Sequence, residues 1–307
     1  MWNRSAVTLL LLVAAAFPAR ATVNVFTCEP EWGSLVNEIA GARARVFVAS
    51  TGLQDPHRLQ ARPSLIAAAR NADLLACSGA ELEVGWLPPV LAQSGNERIQ
   101  LGKPGHLEFA NHADIIERPT VIDRSLGDLH PVGNPHIAYD PHNILLAADE
   151  LEKRLEVVDA GGTADYKAHL DAFRQRWQAA IAKWEKEAAP LKGVAVIEHH
   201  KEVSYLFHWL GMPVVGSLEP KPGVEPTSGH LRELLDQQSA RPAKMIVRVS
   251  YRSADASEWL ASHAHIPAVE VAGTVGGTPA AKDLFGLYDD TIRRLLDALK
   301  SDKAAAR

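Results

Sequence analysis

Between Ala164 and Ala188 the chain places Tyr166, Leu170, Phe173, Trp177, Ile181 and Trp184 at steps of four, three, four, four and three residues. That spacing keeps six large apolar side chains on one face of a helix. At about 1.5 Å per residue such a helix is more than roughly 30 Å long, the span of a small domain. An ordinary core helix would carry the same stripe; the length favours a strut joining two bodies.

The pattern on either side fits a strut. Before it, strand-like runs at 23–27, 44–49 and 73–77 alternate with helix-like runs at 32–40, 63–71 and 82–92, the last interrupted by Pro88-Pro89. The first half's last strand region is expected at Thr120–Ile122, and a helix follows at 143–157. After the long helix the rhythm restarts, with strands at 193–197, 214–217, 243–249 and 268–271 and helices at 203–209, 228–238, 254–262 and 281–299. A βαβ rhythm implies a parallel sheet covered by helices. The expected fold is α/β: two parallel-sheet lobes, 22–160 and 191–307, joined by a long rigid helix at 161–190. In such sheets ligands bind beyond the carboxyl ends of the strands.

Residues 1–21 read as a cleaved secretory signal. Arg4 supplies a positive start, an apolar run follows from Ala6 to Phe17, and Ala19-Arg20-Ala21 is an A-x-A cleavage pattern. The apolar run is too short to span a bilayer. The mature chain is expected outside the cytoplasm, where, in an oxidising compartment, Cys28 and Cys77, the only cysteines, are free to pair. Both end strand-like runs, so they meet if those strands are neighbours; two buried thiols are the other possibility. A net charge of -5 argues against nucleic acid or an anionic membrane as partner.

Three of the 13 histidines stand where a short segment presents them: Asp55-Pro56-His57, Asn134-Pro135-His136 and Glu198-His199-His200. Proline fixes its own φ and moves the preceding residue away from the α region, so His57 and His136 sit on rigid loop tips. Neutral imidazole is the commonest protein ligand of zinc and related metals. His57, His136 and His200 are therefore the expected metal ligands, in a site assembled from loops far apart in the sequence. Only one of the adjacent pair His199 and His200 can face a given way. His130 and His142 are candidates for a supporting shell. Three imidazoles favour a borderline metal over calcium or magnesium, which prefer oxygen.

The order of Asp55-Pro56-His57, Arg62-Pro63-Ser64, Asn134-Pro135-His136-Ile137-Ala138-Tyr139-Asp140-Pro141 and His200 five residues before Tyr205 resembles the zinc/manganese substrate-binding proteins of bacterial ABC transporters, the cluster A-I or TroA-like family. The likeness covers nearly the whole mature chain. It implies capture of a divalent transition metal, zinc first and manganese second, and delivery to a membrane ABC permease, with a metallochaperone as a possible further partner. No catalysis is implied, and the chain is expected to be a monomer. The family supplies a fourth ligand, an aspartate, from a late loop of the second lobe. Here that loop, 272–278, holds no carboxylate, which leaves Glu29, Glu31, Asp283 or a water for the position. The alternatives to transport are a secreted zinc hydrolase with a three-histidine site, and a module for an organic ligand such as haem or a siderophore. The first lacks a His-Glu-x-x-His run, and the second is disfavoured by only 6% aromatic residues.

Overall fold

The computed structural model describes residues 22–305, apart from 122, 124–126 and 128–129. The signal expected at residues 1–21 lies outside the described residues. Each lobe is built on a four-stranded parallel sheet. In the first, β1 (Val23–Thr27), β2 (Ala44–Val48), β3 (Leu74–Cys77) and β4 (His106–Glu108) run in the order β2-β1-β3-β4. In the second, β5 (Val196–Glu198), β6 (Val214–Ser217), β7 (Met245–Val249) and β8 (Ala268–Val271) repeat that order as β6-β5-β7-β8. The chain reverses its winding between β1 and β3, and again between β5 and β7. Crevices open beyond the carboxyl ends of such strand pairs.

Strands buried on both faces need uninterrupted apolar runs. Leu74-Leu75-Ala76-Cys77 is buried at every position. Pairing of β1 with β3 sets Thr27 opposite Ala76, so the residues that follow are neighbours, and Cys28 and Cys77 are joined in a disulfide. The two-thiol alternative is thereby set aside.

Helix α1 (Pro30–Ala40) returns from β1, α2 (Pro63–Asn71) from β2 and α3 (Leu87–Ser94) from β3. Pro88 and Pro89 do not interrupt a helix, as the pattern implied, but lie in the first turn of α3, where no intrahelical N–H bond is lost. The expected strand at Thr120–Ile122 is not formed: Thr120 and Val121 lie in bends, and Ile122 is outside the described residues. The first sheet ends instead in β4, whose three residues are too few to show a strand period.

Helix α4 (Pro141–Val158) leads into α5 (Thr163–Ala188), the expected strut, 26 residues and thus about 39 Å long. All six stripe residues of α5 are buried. They pack against α1 and α4 of the first lobe and against α9 (Leu284–Ala305), the chain's last helix, which follows the second lobe. Trp177 donates to the Pro141 carbonyl at 2.8 Å and stands 5.1 Å from Trp184. Trp184 stacks on Tyr288 of α9 at 4.7 Å, and the Tyr288 hydroxyl donates to the Ala138 carbonyl at 2.7 Å. One apolar core therefore runs from Trp32 and Phe109 through α5 to Val247 and Tyr288, crossing both lobes.

Candidate metal centre

Two of the three predicted histidines are held by the same device. The Asp55 side chain accepts the His57 backbone N–H at 3.0 Å, and Asn134 accepts that of His136 at 2.9 Å. In each Asx-Pro-His turn the short polar side chain closes over the proline and fixes the histidine two residues on. Asp140-Pro141-His142 forms a third such turn, but His142 is exposed at the start of α4 and takes no part in the cleft.

Asp55 also binds His57 Nδ1 at 2.8 Å, which leaves Nε2 facing inward, buried and without a partner. His136 Nε2 is likewise buried and unpartnered. Asn134 reaches the second lobe, donating to the Lys201 carbonyl at 2.9 Å and taking the Tyr205 hydroxyl on its own carbonyl at 2.7 Å. His200 follows β5 and pairs through Nδ1 with Glu219 Oε2 at 2.6 Å; Glu219 is fixed in turn by the Gly223 N–H at 2.7 Å.

The three rings converge from three separate loops. Their centroids stand 5.1 Å (57 to 136), 5.6 Å (57 to 200) and 5.7 Å (136 to 200) apart. One ring nitrogen of each lies within 4.8 Å of the others. Carboxylates on the outer nitrogens fix ring orientation and raise the basicity of the inner ones. His199 points elsewhere: its Nδ1 is buried without a partner, and it is not part of the cluster.

Arg252, after β7, was not legible in the sequence. It contacts Glu202 at 2.6 Å, Asp55 at 3.2 Å and Glu219 at 3.8 Å. One guanidinium thus ties the carboxylate behind His57 to the one behind His200, and so joins the lobes. The Asp55 carboxyl is opposed by burial, but His57 and Arg252 prevail and hold it far below the usual range. Burial depresses His136 strongly, and the imidazoles of His57 and His200 push it the same way. Burial also opposes charge on His200, yet Glu202 and Glu219 outweigh it and raise its pKa.

The three carboxylate candidates for a fourth ligand fare differently. Asp283 is exposed and accepts the Gly286 N–H at 2.7 Å, capping α9 beside Pro30 and Lys282, away from the cleft. Glu29 and Glu31 line a second small cavity behind His136. Glu31 accepts from the Thr274 hydroxyl, so the late loop supplies a partner for a first-lobe acid rather than a carboxylate of its own. Glu29 accepts from Ser78 N and Oγ at 3.3 and 3.2 Å. Burial raises Glu31 to about 7 and raises Glu29 well above its usual value, the latter helped by Glu83 and Glu31. No carboxylate among the described residues joins the three-histidine cluster. His130 does approach: its ring is 5.4 Å from that of His57, and it lines a cavity of about 40 Å³ with His136, His200, Asn134 and Glu117.

Two α/β lobes on a helical strut, with imidazoles from both lobes facing one cleft, define a metal-binding protein of the solute-binding class. Comparison with known proteins narrows the class. Residues 25–301 match the family described as ZnuA, zinc-uptake complex component A, periplasmic. The chain belongs to this family: it is a metal-capturing component of ABC-type uptake, with zinc the cargo that the family's description names. Among solved structures it is similar to ZnuA, at 21% identity and a TM-score of 0.75 over 91% of this chain and 99% of the other. A zinc-bound deletion mutant of ZnuA matches at 20% identity and a TM-score of 0.70, over 90% and 98%. A manganese-bound periplasmic metal-binding protein from candidatus Liberibacter asiaticus matches at 17% and 0.72, over 91% and 100%. The two-lobed fold read from the sequence is the fold of these proteins.

Proposed function

We propose that His57, His136 and His200 hold the cargo ion, one zinc per chain, each through Nε2. The observation that carries this reading is the pair of buried, unpartnered Nε2 atoms on His57 and His136 within a cluster of three imidazoles. A buried polar atom without a partner costs about 1–3 kcal/mol, and a bound cation removes that cost. Zinc accepts imidazole nitrogen readily, whereas manganese lies lowest in the divalent affinity order. The protein would work in the periplasm after removal of 1–21, as a monomer of lobes 22–160 and 191–307 about the strut 161–190. It would load from solution or from a metallochaperone and deliver to a membrane permease. A transport role accounts for a site built only to bind, with no catalytic step, and the family favours it over a secreted hydrolase.

Replacing His57, His136 or His200 singly by alanine is expected to weaken zinc binding at least about tenfold, or 1.4 kcal/mol, read by competition with a chromophoric chelator. Wild-type affinity in all three variants would overturn the assignment.

A further inference from the structure

His130, read from the sequence only as a candidate for a supporting shell, stands directly beside the cluster. Its ring stands as near to His57, at 5.4 Å, as the three cluster rings stand to one another. Its Nε2 is buried and has no hydrogen-bond partner, the same condition as His57 Nε2 and His136 Nε2. It faces the cavity that His136 and His200 also line. Of the acids, Glu31 is held by Thr274 and Asp283 by the start of α9; Glu29 binds Ser78 through Oε2 and keeps Oε1 buried and unpartnered at the second cavity, behind His136.

We propose that His130 is the fourth ligand of the cargo ion, completing a four-imidazole site; the proposal rests on reading His57, His136 and His200 as the first three. The nitrogen of His130 lies outside the 4.8 Å cluster, so its ring turns inward when the ion binds. Tetrahedral zinc with bonds of roughly 2.0–2.1 Å sets its ligand nitrogens about 3.4 Å apart, inside the 4.8 Å within which those of the three histidines lie. His57, Asn134 and His200 are pinned by Asp55, Lys201 and Glu219. His130 lies on the connection between β4 and α4, where the Ala80 backbone holds its ring.

The chemistry has a consequence for selectivity. Four neutral nitrogens leave the ion without a hard oxygen ligand, the negative charge standing one side chain back on Asp55 and Glu219, which disfavours manganese and favours zinc. Exchanging His130 for aspartate recreates a three-nitrogen, one-carboxylate set and should narrow the preference.

The test is zinc X-ray absorption on wild-type protein and on His130→Ala, with zinc and manganese affinities for both, for His130→Asp and for His57→Ala. The expected result is four imidazoles about zinc in wild type and three in His130→Ala, with zinc affinity at least tenfold lower. His130→Asp should lower the ratio of zinc to manganese affinity. Three imidazoles in wild type, a count that needs no variant to fold, would overturn the proposal, as would unchanged zinc affinity in His130→Ala. If His57→Ala also binds zinc as wild type does, the three-histidine reading fails; if only His130→Ala does, that reading stands and His130 alone is excluded.

Discussion

An imidazole offers a cation one nitrogen, and what holds the other nitrogen decides where the first one points. Asp55 performs that task for His57 and Glu219 for His200; His136 is aimed by its backbone turn and by burial. His136 and His200 also differ in how they compete with protons. His136 is kept neutral by burial and by its imidazole neighbours, so protons scarcely contest it. His200 runs the other way, because Glu202 and Glu219 outweigh burial and stabilise its charged form. A ligand with a raised pKa is fully available only above that value, and its contribution is lost as pH falls through it. Zinc affinity is therefore expected to fall as pH drops through the His200 value, which lies above the ordinary 6.5, with His200 the first ligand lost. Titration from pH 7.5 to 5.5 checks this; a flat affinity would mean that carboxylates, not these imidazoles, hold the ion.

At the scale of elements, the positions of the loops follow from two sheets wound alike. Cys28 and Cys77 leave adjacent strands, and their disulfide closes a loop with a sequence separation of 49. A crosslink of that length is worth about 4 kcal/mol in the chain-entropy account. Urea unfolding of Cys28→Ala/Cys77→Ala should show a loss near that size; a loss under about 1 kcal/mol would mean that packing in the first lobe holds these strand ends without the bond. Most strands and helices were legible because their apolar runs are long. The three-residue strand β4 was not, and neither was the start of α3, since a Pro-Pro pair can break a helix or begin one. The Asx-Pro-His turns announce themselves locally. Glu219 and Arg252 do not: each follows a second-lobe strand, 19 and 52 residues after His200, and only the sheet order brings them to it.

Across the whole molecule, the strut α5 is not a bare connector. Its Trp177 and Trp184 are sealed between α1, α4 and α9 in a core that both lobes share. The seam above the cleft is close as well: a Cβ on Gly52 would come within 2.2 Å of the Gly276 backbone, so only glycine fits there. Such a body should not swing open as a loop-hinged one does. X-ray scattering of metal-free and zinc-loaded protein is expected to give nearly equal radii of gyration, with change confined to the cleft loops. A large difference would place a hinge where the core appears continuous. The account as a whole turns on one location. Anomalous diffraction at the zinc edge from zinc-loaded crystals should give a single strong site about 2.0–2.1 Å from Nε2 of His57, His136 and His200. A principal site on Glu29 and Glu31, or anywhere that lacks these three nitrogens, would contradict it.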